Sequence, residues 1–189
     1  MSNFVVVYDA CVLYPAWLRD LLMQLAVTGL FRAKWTARIH QEWIESLLRN
    51  QPQLGRDALQ RVAELMNKAV PNALVDDYEK LVDGLALPDA DDRHVLAAAI
   101  HCGAQEVITF NLKDFPEQSL RPYGLKAQHP DEFVEHLLDL NSEAVCEAVR
   151  KIRSRLAKPA VTADEILTRY EQGGLAVSAS ILRDRANSL

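Results

Sequence analysis

Hydrophobic positions in the first two thirds of the chain form two kinds of pattern. Residues 4–8 and 106–110 are short apolar runs rich in β-branched side chains, which is typical of strands buried inside a sheet. Longer stretches repeat apolar residues every three or four positions, which predicts helices. These helices cover residues 13–25, 36–48, 54–69, 78–82 and about 89–102, with a weak strand at 73–75. Strands alternating with helices predict an α/β fold with a parallel sheet.

The last third of the chain has only helical patterns, at residues 133–140, 145–156, 163–170 and 176–186. The charge changes there as well. Residues 1–140 carry 13 basic and 20 acidic side chains, a net charge of −7, whereas residues 141–189 carry 8 and 6, a net charge of +2. We therefore expect an α/β domain over residues 1–135 and a helical C-terminal extension over residues 136–189.

Composition narrows the class of protein. A chain of 189 residues with 49% hydrophobic residues can bury one compact core. The three cysteines, Cys11, Cys102 and Cys146, form no close pair, which argues against a disulfide framework or a Cys-ligated zinc site and favours a reducing cytoplasm. We expect no signal peptide, because residues 1–9 have no basic region and reach Asp9 early. We expect no membrane span, because no apolar run approaches roughly 18 residues. The net charge of −5 would argue against a nucleic-acid partner, but whole-chain charge is too coarse for that question.

Polar side chains follow both predicted strands. Asp9 comes directly after the first strand, and Asn111 and Asp114 follow the second. Asp92 shares a helix face with apolar residues, and Glu42 borders the apolar stripe of its helix. Ligands of open α/β sheets bind outside the carboxyl ends of the strands. Carboxylates gathered there would repel one another, so a Mg²⁺ or Mn²⁺ ion, which prefers oxygen ligands, is the simplest compensation.

Each of these acids also has an ordinary structural explanation. Asp9 can be a turn or helix N-cap residue, and Asp114 can cap the next turn. Asp89, Asp91 and Asp92 can serve only the dipole of the helix that follows them, with Asp89 as its N-cap. Spacing alone therefore leaves the metal site and these local roles open.

Four segments, taken in order, resemble the PIN-domain nucleases, and in particular the VapC-like toxins of bacterial toxin–antitoxin pairs. They are residues 5–13, Glu42, residues 88–99 and residues 107–116, and the resemblance covers about 130 residues. It implies a three-layer PIN-like fold, with a central parallel sheet flanked by helices, and an acidic Mg²⁺ or Mn²⁺ site that cleaves RNA. The helical extension is not part of the minimal fold and resembles the C-terminal extension of some VapC-like toxins.

The resemblance also implies roles for individual residues. Asp9, Asp92 and Asp114 would hold the metal ion, and Glu42 would complete the catalytic set as a hydrogen-bonding neighbour. The fourth acid position is unsettled: Asp114 is favoured for its charge, with Asn111 as a neighbouring ligand. Asp91 competes with Asp92 as an alternative ligand. A metal-activated water would then attack the phosphorus and leave a 5′-phosphate and a 3′-hydroxyl.

Partners follow from the same resemblance: an RNA substrate, a cognate antitoxin laid across the active-site groove, and a possible homodimer. The candidates for gripping the RNA backbone are Arg93, Lys113, Arg150, Lys151 and Arg153, although the last three are equally consistent with a solvated helix face. Two other readings stay open at this point. One is a catalytically silent PIN scaffold that binds RNA or protein, and the other is a metal-dependent phosphatase or DNA nuclease.

Overall fold

A parallel sheet lies at the centre of the computed structural model, which describes residues 4–156, 160–186 and 189. Four strands form it in the order β2–β1–β3–β4. They are β1 (Val5–Tyr8), β2 (Arg32–Lys34), β3 (Glu106–Ile108) and β4 (Lys126–Gln128). Because every pair is parallel, all four carboxyl ends meet at one edge of the sheet. This confirms the predicted α/β fold, and that edge is where Asp9 lies.

Two of these strands were not predicted from the sequence. β2 and β4 have three residues each, begin with a charged side chain and form the two edges of the sheet. They therefore lack the apolar run that marks β1 and β3. The predicted strand at 73–75 is reduced to a single parallel bridge between Trp35 and Leu74.

Six α-helices come before β3 in the described residues. They are α1 (Ala10–Leu13), α2 (Ala16–Ala26), α3 (Ala37–Asn50), α4 (Arg56–Ala69), α5 (Glu79–Val82) and α6 (Arg93–His101). The predicted helix at 13–25 is wrong at its start, because Pro15 separates α1 from α2. The predicted caps are confirmed: Thr36 accepts a hydrogen bond from the Ile39 amide, and Asp89 accepts one from the Asp91 amide in the 3-10 turn before α6.

Four more helices complete the described chain: α7 (Glu117–Leu120), α8 (Pro130–Arg155), α9 (Ala163–Gln172) and α10 (Ala176–Arg183). Helix α8 kinks at Asn141, where φ is −158° and ψ is 84°. The Asn141 side chain accepts a 3.0 Å hydrogen bond from the Ala144 amide and so caps the second half of α8. The domain boundary expected near residue 135 falls inside α8 and stays a prediction. Within the described ranges, every helix is too short or too polar to cross a lipid bilayer.

Aromatic side chains join the sheet to the first half of α8. The Tyr8 ring stacks on Trp35 with centroids 6.2 Å apart, and Phe133 of α8 meets Phe31 edge-on at 5.0 Å. All four are buried. Such contacts add specific geometry to the burial of large apolar surfaces. Helix α8 therefore belongs to the core that supports β1.

A buried carboxylate and a close glycine contact dock the last two helices. Asp131 of α8 accepts hydrogen bonds from the Val177 and Ser178 amides, both 2.9 Å, and from the Ser178 hydroxyl at 2.6 Å, which caps α10. Gly173, between α9 and α10, lies directly against the indole ring of Trp17 in α2. The helical extension is thus packed onto the α/β unit through buried contacts.

A buried polar network joins α3 to α4. Asn67 Oδ1 accepts a hydrogen bond from Trp35 Nε1 at 2.7 Å and lies 3.0 Å from His40 Nε2. Trp43 Nε1 donates to His40 Nδ1 at 3.0 Å. Since Nδ1 accepts, the neutral His40 ring carries its proton on Nε2 and donates it to Asn67. Burial is the main reason why the pKa of His40 is lowered.

We predict that Gly173→Ala destabilises the protein by about 1–3 kcal/mol, because the added Cβ would overlap the Trp17 ring and force it to move. Chemical denaturation measures the change. Gly84→Ala is the matched control, since a Cβ there meets only ordinary van der Waals contact, at 3.7 Å from the Leu81 carbonyl oxygen. Equal effects of the two substitutions would contradict the close packing at Trp17.

We also predict that His40 makes stability depend on pH. The pKa of His40 is lowered in the folded state, so the unfolded chain takes up the proton first, and stability is lost as pH falls below about 6.5. Between pH 7.5 and 5.5, His40→Gln should reduce the loss of unfolding free energy by about 1 kcal/mol. His101→Gln, an exposed histidine at the end of α6, is the control. A pH dependence that is the same in His40→Gln and in the unaltered protein would exclude this role.

Candidate active site

The buried carboxylate of Asp9 lies at the carboxyl end of β1, with 4% of its surface exposed. Its Oδ1 accepts a 2.6 Å hydrogen bond from the Ala10 amide, so the local N-cap role expected for Asp9 is confirmed. Its Oδ2 accepts hydrogen bonds from the Thr109 hydroxyl at 2.7 Å and from the Cys11 thiol at 3.1 Å. A carboxylate oxygen has two acceptor sites, and Oδ1 uses only one of them, so it can still bind a metal ion or accept a second hydrogen bond. Capping α1 and serving a ligand are therefore compatible roles.

Sequence reasoning missed two of these partners, Thr109 and Cys11. Thr109 is fully buried just after β3, and its hydroxyl oxygen also accepts a 3.0 Å hydrogen bond from the Asn111 amide. The Cys11 sulfur accepts a hydrogen bond from the Phe110 amide at 3.3 Å. Burial, followed by the charge of Asp9, raises the pKa of the Cys11 thiol to about 12, so it stays a neutral donor rather than a nucleophile. The only sequence signal for Thr109 is its place as the first polar residue after a buried strand.

Glu42 reaches the same edge of the sheet from α3. Arg38, one turn earlier, donates from Nε to Glu42 Oε1 at 3.1 Å and from a terminal nitrogen to the Asp91 carbonyl at 3.4 Å. His94 Nε2 lies 2.8 Å from the same oxygen, a close approach without hydrogen-bond geometry. His94 is buried at the start of α6. These contacts join α3 to the turn that carries Asp92. They are made by Arg38 and His94, which were not predicted as site residues from the sequence.

Asp92 is half-buried at the N-terminal end of α6. Its pKa is raised to about 7, first by burial and then by the charges of Asp9, Asp89, Asp114 and Glu42. Carboxylates that approach the sheet from separate elements therefore act on one another electrostatically. This crowding is the like-charge repulsion that the sequence predicts.

The acids border a cavity of about 320 Å³, which we call the acidic cavity. Its polar lining includes Asp9, Glu42, Asp92 and Asn111. The rest of the lining is formed by Ala10, Cys11, Tyr14, Trp43 and Ser46. Asp114 is not part of this lining, although its charge raises the pKa of Asp92.

The side chains at the acidic cavity offer oxygen atoms as ligands for a metal ion. In the part of the chain that the structure describes, no three His, Cys, Asp or Glu side chains converge closely enough to hold an ion by themselves. Mg²⁺ is usually bound by only one or two carboxylates and keeps several waters. Asp9 and Asp92 offer oxygen donors, and burial and neighbouring acids raise the pKa of Asp92, so this pair fits that mode of binding.

The remaining candidates lie around this site or farther along the chain. Asp91 is exposed, and Arg93 Nε donates to the Ala90 carbonyl at 2.9 Å. Lys113 is exposed in the 3-10 turn Leu112–Asp114. Metal binding by Asp91 and RNA binding by Arg93 and Lys113 stay predictions.

The basic residues of α8 make contacts within the protein. Arg150 and Lys151 both pair with Glu147, the latter at 3.7 Å. Arg153 donates to the Leu189 carbonyl at 2.8 Å. RNA binding by these residues stays a prediction, and an RNA phosphate would have to compete with these intramolecular partners.

Comparisons with known proteins match both the first part of the chain and its helical extension. A family model described as PIN domain matches residues 5–113, and one described as VapC50 C-terminal domain matches residues 130–184. The chain is 42% identical over 76 residues to "Putative ribonuclease VapC50" of Mycobacterium tuberculosis, a match that covers 40% of this chain and 45% of that protein. No solved structure matches the chain significantly. The predicted family and the predicted C-terminal extension are thereby confirmed.

We predict that Asp92→Asn stabilises the protein in EDTA by about 1 kcal/mol, because it removes a charge that burial and four other acids disfavour. At pH 8, where Asp92 is ionised, thermal unfolding should occur a few degrees higher. Asp139→Asn, at an exposed acid of α8, is the control. A lower melting temperature for Asp92→Asn would contradict the repulsion.

Proposed function

The chain belongs to the PIN-domain family, and from this membership we propose that it is a Mg²⁺- or Mn²⁺-dependent endoribonuclease that acts as the toxin of a toxin–antitoxin pair. The observation that carries the proposal is the meeting of Asp9, Glu42 and Asp92 at one cavity. These acids come from the end of β1, from α3 and from the start of α6, and burial together with the neighbouring charges raises the pKa of Asp92 to about 7. Acids held together against their repulsion are typical of a functional site.

Asp9 and Asp92 would hold the divalent ion, with water completing its coordination. Asp114 would add charge nearby, and the Asn111 side chain at the cavity wall would add an oxygen ligand. When bound, the ion activates water as a nucleophile and offsets the negative charge of the phosphodiester. The identity of the fourth ligand, Asp114 or Asn111, remains part of the proposal.

The protein's own part in the reaction is to hold these carboxylates in place. Hydrogen bonds from Thr109 and Cys11 fix the orientation of Asp9 Oδ2, which leaves less freedom to lose when the ion binds. Arg38 holds Glu42 from the solvent side, and the buried His94 limits its movement on the other side. Glu42 would therefore accept a hydrogen bond from water at the cavity without needing to be a ligand itself.

An antitoxin partner is supported by the similarity to VapC50 and by the charge of the cavity. A cleft lined by Asp9, Glu42 and Asp92 attracts an Arg or Lys side chain. We propose that a small antitoxin covers the cavity with such a residue and thereby blocks access of RNA. A homodimer and a cytoplasmic location also stay proposals.

We predict that the purified protein cleaves single-stranded RNA in Mg²⁺ or Mn²⁺ and that EDTA abolishes the cleavage. Asp9→Asn and Asp92→Asn should lower the rate by at least about 100-fold, because each removes a charge that holds the ion. Glu42→Gln should lower it by about 10- to 100-fold, as expected of a residue that orients ligands. Denaturing gels of end-labelled RNA measure these rates.

Glu45→Gln is the matched control for Glu42→Gln. Glu45 lies on the same helix but pairs with Arg56 at 2.6 Å, outside the lining of the acidic cavity, so its replacement should leave the rate unchanged. Cleavage at an unchanged rate in Asp9→Asn and Asp92→Asn would contradict the proposal. Absence of both cleavage and Mn²⁺ binding by calorimetry would indicate a silent scaffold, and faster turnover of phosphate monoesters or duplex DNA would indicate a different hydrolase.

A further inference from the structure

Part of the lining of the acidic cavity carries no charge. We call three of these residues, Tyr14, Trp43 and Ser46, the neutral wall. Tyr14 and Ser46 are half-buried, whereas Trp43 is fully buried. The function proposed above uses only the acids and Asn111, so the neutral wall still lacks a role.

Hydrogen bonds hold Tyr14 through its ring hydroxyl and through its backbone. Its hydroxyl accepts a 3.0 Å hydrogen bond from the Asn50 side chain at the end of α3. Its backbone amide donates to the Ala10 carbonyl at 3.0 Å, and its carbonyl lies 3.4 Å from a guanidinium nitrogen of Arg19. A ring fixed in this way can accept a flat partner with little loss of conformational freedom.

The polar groups of the neutral wall differ in whether they can still form a hydrogen bond to a ligand. Trp43 Nε1 is used by His40, and Arg19 covers the ring at 4.5 Å from its centroid, so Trp43 contributes only an apolar surface. Ser46 Oγ accepts from Arg49 at 2.9 Å, which leaves its own hydrogen able to be donated. The wall therefore combines a rigid aromatic ring with one hydrogen-bond donor.

We propose that the neutral wall binds one nucleobase of single-stranded RNA, next to the phosphate that lies at Asp9 and Asp92, with the Tyr14 ring as its stacking partner. The inference rests on the proposed function and adds a base-binding position to it. The Tyr14 ring and the Ser46 hydroxyl match the flat face and the polar edge of an unpaired base. A cavity of about 320 Å³ is at the small end of ligand sites, which suits a single base rather than a duplex.

The test combines a protein substitution with the removal of single bases from the RNA. Fluorescent hexanucleotides, each with one abasic position, are titrated against Asp92→Asn and against the double variant Asp92→Asn/Tyr14→Leu, and gels verify that the RNA stays intact. In Asp92→Asn, one abasic position should weaken binding by about 10-fold. In the double variant the intact RNA should bind about 10-fold more weakly, and that same abasic position should cause no further loss.

Two control variants separate stacking from damage to the fold. Tyr14→Phe keeps the ring and loses only the contact with Asn50, so its abasic profile should match that of the parent. Tyr123→Leu replaces an exposed tyrosine that does not line the cavity and should also leave the profile unchanged. If Tyr14→Leu unfolds, Tyr14→Ser takes its place, with circular dichroism as the check on both.

Additive losses for Tyr14→Leu and the abasic position would overturn the inference, as would a parent that responds equally at every position or binds no RNA. Its failure is distinct from failure of the proposed function. Metal-dependent RNA cleavage with additive losses would reject only the base site at Tyr14. Non-additive binding without any cleavage would keep the base site and reject the nuclease.

Discussion

The hydrogen bond between Asp9 and Thr109 is the contact on which the site depends. It joins the ends of β1 and β3 across 100 positions of sequence and lies in the buried part of the sheet edge. A buried carboxylate without such partners would be strongly disfavoured. Because the Thr109 hydroxyl also accepts from the Asn111 amide, the same contact sets the path of the chain beside the acidic cavity. Because β1 and β3 pair in parallel, their carboxyl ends bring Asp9 and Asn111 to the same edge of the sheet, beside the candidate site.

Around Asp9 the fold brings together carboxylates whose mutual repulsion lowers the stability of the folded protein. Burial and these charges raise the pKa of Asp92, and Arg38 offsets the repulsion only at Glu42. Functional sites are commonly arranged in this way, since a site that awaits a cation or a basic side chain is destabilised until one arrives. Helix α3, which carries Glu42, is held against α4 by the contact between His40 and Asn67.

The helical extension shares this framework. Asp131, the second residue of α8, caps α10, while the kink at Asn141 turns the rest of the helix. Gly174 follows the close contact of Gly173 with Trp17, and a Cβ at Gly174 would lie 3.6 Å from the Phe110 ring, just beyond Thr109. The segment between α9 and α10 is therefore packed near the end of β3. The region matched as the VapC50 C-terminal domain is in contact with the elements that carry the site.

Local patterns in the sequence determined β1, β3, most of the helices and the set of candidate acids, because apolar periodicity and polar residues after strands are visible within a few positions. Sequence could not predict the edge strands β2 and β4, which are defined by pairing with distant strands rather than by an apolar run. Only the tertiary structure decided that Thr109 holds Asp9, that His94 meets Glu42, and that Tyr14 shares their cavity. Contacts between residues far apart in sequence produce no periodic pattern in the chain. They arise only when helices and strands pack and bring distant side chains to one edge of the sheet.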